Sequence, residues 1–238
     1  MYKPSRRAVL KSGAAAASVA FVTRLIRPGK RAEAESGLPR PVVPKGYVYF
    51  TAPEVAFLDA AVARLIPADE LGPGAREAGV TYFLDRQMAG PYGTAQTWYM
   101  HGPFGKGSKQ QGYQLQYTPA QLYRAGIKEV DDYCTKAHGK PFAQLAVDQQ
   151  DAVLHELEDG KAQLGDVPAK EFFHFLQQNT MEGFLADPLY GGNRDFVGWK
   201  LIGFPGPRYN YYTDIERHGE RYALPPVGLL GRNGTAKG

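Results

Sequence analysis

The chain has 238 residues with 28 Lys and Arg, 24 Asp and Glu and a formal charge of +4, but eight of those bases and only one acid lie in residues 1–34. Without that segment 20 bases face 23 acids, a net of −3; a mildly acidic chain gains little from neutralising phosphates, which excludes a nucleic-acid binder. The only cysteine is Cys134, which excludes an internal disulfide, a Cys-based zinc site and a C-x-x-C-H haem attachment.

The first feature along the chain is an export signal. Ser5-Arg6-Arg7-Ala8-Val9-Leu10-Lys11 pairs two arginines ahead of an apolar residue, Leu and Lys, with Val9 where Phe is common. Gly13–Thr23 is a weakly apolar stretch, and Ala32-Glu33-Ala34 offers small residues at the spacing a signal peptidase reads. The arginine pair assigns the signal to the twin-arginine route. The apolar run ends at Arg24 and is shorter than the about 20 residues a membrane span needs. We therefore expect residues 1–34 to be a signal, the working chain to start near Glu35, and the location to be periplasmic.

About 200 remaining residues suffice for one domain with its own core. Residues 35–50 read as an extended, Pro-rich linker, with Tyr47–Phe50 as a short candidate strand. The first helix is expected over Thr51–Ile66: Thr51 and Glu54 form a capping box, Pro53 sits in the first turn and Pro67 stops it. Val55, Leu58, Ala61, Val62, Leu65 and Ile66 share one face. A second helix is expected over Gly79–Ala89 with Val80, Phe83, Leu84 and Met88 inward.

Gly90–Tyr117 has no clear period. It mixes glycines with Trp98, Tyr99, His101, Phe104, Tyr113 and Tyr117. So long a segment is usually functional or disordered, and its aromatic content argues for order. It is expected to lie on another surface. Thr118-Pro119 opens a third helix that closes at His138-Gly139, with Leu122, Ala125, Val130, Tyr133, Cys134 and Ala137 inward. A fourth spans Val147–Glu158 and a fifth Pro168–Ala186. Beyond Asp187 tight turns take over, and residues 208–238 read as an extended tail. The expected fold is all-α: one domain of about five helices over residues 51–207, with long ordered loops.

Few groupings carry chemistry. His155-Glu156 opens like H-E-x-x-H, but Asp159 stands where the second His belongs; Asp151 and His155 then suit a solvated helix face. Glu171-x-x-His174 is half of a di-iron motif whose second copy is missing. Glu182 adds a carboxylate, so a stand-alone metalloenzyme using Glu171, His174 and Glu182 is the alternative reading. There is no G-x-S-x-G and no dinucleotide-binding glycine loop after a strand. Cys134 suits either a buried thiol or an interchain disulfide.

Several stretches together resemble a known family. They are Arg64–Asp69, Gly72–Ala75, Ala78–Val80, His101–Phe104 and, most specifically, Thr180–Pro188 running into Tyr190–Asn193 and Gly198–Gly206. In this order, behind such a signal, the chain resembles the gluconate 2-dehydrogenase small-subunit (subunit 3, or gamma) family over roughly residues 50–207. The resemblance implies a subunit without a catalytic or cofactor site of its own. FAD and the catalytic histidine would belong to a larger flavoprotein of the glucose–methanol–choline type, and haem c to a multihaem cytochrome c subunit where one is present. It further implies that this chain's signal exports the pair, and that contact with the membrane is indirect, through the complex. The aromatic residues of the Gly/Pro-rich segments, Trp98, Tyr99, Phe104, Trp199, Phe204, Tyr209, Tyr211 and Tyr212, are the candidate partner interface, because Tyr and Trp are enriched where one protein covers another.

Overall fold

The computed structural model describes residues 46–231, apart from Lys106, Arg221 and Ala223. The export signal with Arg6 and Arg7, and the linker as far as Lys45, lie outside the described residues. The described residues form six α-helices and no strand: α1 (Ala52–Leu65), α2 (Val80–Ala89), α3 (Pro119–His138), α4 (Val147–Asp159), α5 (Ala169–Leu185) and α6 (Val197–Ile202).

Local sequence explains most helix ends. At α1 the Glu54 carboxylate accepts from both the Thr51 N–H (2.8 Å) and its hydroxyl (2.9 Å). At α3 the Gln121 side chain accepts from the Thr118 N–H at 2.8 Å, and Thr118 Oγ1 returns the bond. These bonds, reciprocal at α3, satisfy donors at the helix starts. Gly139 and Gly160 close α3 and α4 in the left-handed region.

Helix α5 is the hub; α1, α2, α3, α4 and α6 all pack on it. Its Phe172 and Leu176 meet Phe57 of α1, Tyr123 of α3 and Leu157 of α4 in one contiguous buried core. Phe57 and Phe142, the latter in a 3₁₀ turn over Phe142–Gln144, lie 4.8 Å apart, and Phe57 and Phe172 6.3 Å apart. Each such ring contributes about 1.5–3 kcal/mol by leaving water. The α3–α5 approach depends on Gly126, since a Cβ there would enter the Phe172 ring. The inward stripe of α1 is centred on Phe57, which the spacing argument passed over, with Val55 and Leu65 at its half-buried margin. Ala137, expected inward, is exposed.

Two features depart from the sequence expectation. Tyr47–Phe50 is not a strand. The N–H groups of Val48, Tyr49 and Phe50 donate to the carboxylate of Asp85 at 2.8, 2.9 and 2.9 Å. Asp85 is fully buried in α2, so one side chain takes the donors that a ladder would need. The second departure is α6, whose six residues are too few for a helical period to show.

The segment Gly90–Tyr117 lies on α5, as its composition implied. The indole of Trp98 packs 5.7 Å from Tyr92, 5.2 Å from Tyr113 and 6.3 Å from Phe175. The Tyr92 and Tyr123 hydroxyls both meet Asn179, which is buried in α5, and the Tyr113 hydroxyl donates to the Tyr117 carbonyl at 2.6 Å.

Candidate partner interface

The surface most unlike that of an isolated soluble chain is at the C-terminal end. After α5 the chain turns sharply. The Asn193 side chain, fully buried, donates to the Ala186 carbonyl (2.8 Å) and accepts from the Gly198 N–H (2.8 Å). Asn193, Asp195 and Phe196 all have positive φ. For Phe196 that geometry stores roughly 1–2 kcal/mol, offset by stacking on Trp199 at 5.3 Å. A Cβ at Gly198 would strike the Phe184 carbonyl, so only glycine lets α6 sit this close to α5.

Trp199 corrects the expected interface. Its indole N–H donates to the Leu185 carbonyl at 2.7 Å, Phe204 meets it edge-on at 4.9 Å, and only 4 % of it is exposed. It seals α6 against α5 and cannot face a partner. Trp98 is likewise half-buried in the chain's own fold. The other expected residues do face solvent: Tyr99 (84 % exposed), Phe104, Phe204, Tyr209 (102 %), Tyr211 and Tyr212 (81 %). Sequence reasoning missed Ile215, Leu224 and Leu229, which stand exposed beside the C-terminal tyrosines in the sequence. Aliphatic residues scattered in a polar tail give no periodic signal.

Phe104 also borders an open groove of about 960 Å³ between the start of α1 and α3. Most of its lining surface is apolar, and its charged side chains are paired within the chain. Arg124 pairs with Glu54 at 3.1 Å, donates to the Tyr49 carbonyl and covers the Tyr49 ring at 4.4 Å. Lys128 pairs with Asp132 at 2.6 Å. Burial raises the Asp131 carboxyl above its ordinary range, although the Phe142 N–H bonded to it acts the other way.

The alternative metal site is not assembled. Glu171 and His174 are exposed on α5, and Glu182, eleven residues on from Glu171, stands about 16 Å further along the helix. Glu182 is occupied by the side chains of Gln178 and Asn179, each at 2.8 Å. Among the described residues no three His, Cys, Asp or Glu side chains could share a metal ion. Asp151 makes a two-point contact with Arg64 of α1 (2.6 and 2.9 Å) instead of meeting His155. Cys134 is wholly buried in α3. Burial, followed by the nearby Asp131 and Glu156 carboxylates, pushes its thiol up to about 12. It cannot reach another chain without unfolding α3, which rules against the interchain disulfide.

The sequence profile of gluconate 2-dehydrogenase subunit 3 matches residues 52–206. The chain belongs to this family. No curated protein and no solved structure matches it. The matched span opens on the first residue of α1 and closes at Gly206, just past α6. The gluconate 2-dehydrogenase subunit 3 unit is therefore the helical body with its Trp199 seal, and the tyrosine-bearing segment that follows lies beyond it. No helix among the described residues is long and apolar enough to cross a membrane.

Proposed function

We propose that this chain is the non-catalytic small subunit and export escort of a periplasmic dehydrogenase acting on a sugar, polyol or sugar acid. In this reading a larger flavoprotein of the glucose–methanol–choline type carries FAD and the catalytic histidine. A multihaem cytochrome c subunit, where present, passes the electrons on and ties the complex to the membrane. The profile match over residues 52–206 carries the reading.

The chemistry of the chain supports it. Its buried polar groups serve the fold: Asp85 holds the entry to α1, Asn179 joins two tyrosines, and Asn193 ties the turn between α5 and α6. Its outward tyrosines suit a protein partner. The Arg6-Arg7 signal belongs to a route that accepts folded cargo, so a partner lacking a signal crosses with it. Coexpressed with a signal-less flavoprotein encoded beside it, the chain is expected to co-purify with FAD and bring the flavoprotein to the periplasm. In Arg6→Lys/Arg7→Lys both chains should stay in the cytoplasm. A flavoprotein that still reaches the periplasm in the double variant overturns the escort role, and failure to co-purify overturns the subunit reading itself.

A further inference from the structure

Among the described residues, the stretch from Gly206 to Gly231 returns to the helical body and is fastened to it. At its base the Val227 N–H donates to the Pro205 carbonyl at 3.1 Å, and the Leu229 N–H donates to Asp187 Oδ2 at 2.8 Å. Buried Gly228 sits against Asp187 and Phe196, where a Cβ would press on the Asp187 carboxylate. Within the loop the Arg208 guanidinium covers the Tyr222 ring at 4.2 Å, and Arg217 pairs with Asp214 (3.0 Å) and Glu220 (2.8 Å). These ties brace the backbone while Tyr209, Tyr211, Tyr212, Ile215 and Leu224 stand in solvent. The three tyrosine side chains make no hydrogen bond or ring contact among the described residues.

Charge, chemistry and area select the occupant. Arg208, Arg217 and Arg221 balance Asp214, Glu216 and Glu220, so the loop has no net attraction for an anionic bilayer or a nucleic acid. Tyrosine brings rigid, amphipathic contact area at the cost of only two side-chain torsions, the property that suits protein recognition by loops. At their observed exposures the three rings offer about 500 Å², over half of the about 800 Å² per partner of a standard protein interface. The loop also begins where the family-shared span ends, so it extends the body's own surface. We propose that Gly206–Val227 is a docking arm for the larger catalytic subunit, with Tyr209, Tyr211 and Tyr212 as its anchors. The proposal rests on the subunit reading above.

The test measures binding of the full mature chain to the purified flavoprotein, for the wild type and for Tyr209→Ser/Tyr211→Ser/Tyr212→Ser. The triple variant should unfold close to the wild-type temperature, since these side chains make no hydrogen bond or ring contact among the described residues, and should bind at least tenfold more weakly. Wild-type affinity in the triple variant overturns the arm and leaves the subunit reading standing. If the wild type itself does not bind the flavoprotein, the subunit reading fails and the arm with it. Self-association of the wild type that disappears in the triple variant, with flavoprotein affinity unchanged, assigns the loop to a second copy and likewise overturns the proposal. So does wild-type binding to anionic phospholipid vesicles that the substitutions abolish while flavoprotein affinity stays the same.

Discussion

Gly90–Tyr117 and Gly203–Gly231 look alike as sequences, each a run of glycines and aromatic residues without a period, yet they use their aromatics in opposite ways. The first folds Tyr92, Trp98 and Tyr113 inward and leaves Tyr99 and Phe104 in solvent. It leaves α2 beside the flank of α5, where Phe175 offers an apolar surface and Asn179 a partner for the Tyr92 hydroxyl. The second leaves α6 after every longer helix has already found its neighbours. There Trp199 and Phe204 pack on each other at the end of α5, while Tyr209, Tyr211 and Tyr212 stay in solvent. Aromatic content in a loop therefore marks surface that packing tends to cover: the chain's own helix α5 covers Trp98 in the first, and Tyr209, Tyr211 and Tyr212 stay in solvent in the second.

The comparison breaks most visibly at Trp199. Trp199→Ala removes a buried indole and its bond to the Leu185 carbonyl, and should cost about 3–5 kcal/mol in denaturant unfolding. It should also weaken the flavoprotein complex, because the arm's base rests on that indole through Phe196 and Phe204. Unchanged stability would mean that Trp199 does not seal α6.

Trp98→Ala is next in size. Trp98 is half-buried, so the expected loss is about 2–3 kcal/mol, with flavoprotein affinity intact once the variant is folded. If binding fell while stability held, the Gly90–Tyr117 segment would belong with the arm as an interface, and the contrast between the two regions would collapse.

The smallest effect concerns Cys134. In the folded chain it should not react with a thiol reagent at pH 8, and should react fully after unfolding. The sign of its pH dependence follows from burial. The thiol is raised in the folded state from an ordinary value of 9.0 to about 12. Its contribution to stability is thus whole below pH 9 and is lost as the pH rises towards 12. Cys134→Ala should flatten that part of the stability–pH curve. Rapid labelling of the native chain would place Cys134 at the surface and reopen the interchain disulfide.

Much of the helical body was legible from local chemistry. Thr51 with Glu54, Thr118 with Gln121, and the glycines at 139 and 160 mark helix ends through bonds between residues close in sequence. The 3.6-residue spacing of apolar residues found the buried face of α2. The candidate site was legible only in part. Composition singled out the aromatic-rich segments, but it could not tell Trp199, which seals the body, from Tyr209, which stands exposed.

The sequence by itself determined the all-α class, the five longer helices and the kinship with gluconate 2-dehydrogenase subunit 3, because caps, periodicity and motif order are local properties. Only the tertiary structure decided that Asp85 takes the donors of Val48, Tyr49 and Phe50, that Cys134 is sealed in α3, and which aromatics are left outside. Each of those outcomes depends on a partner tens of residues away, or on the lack of one, and no local pattern records such a distance.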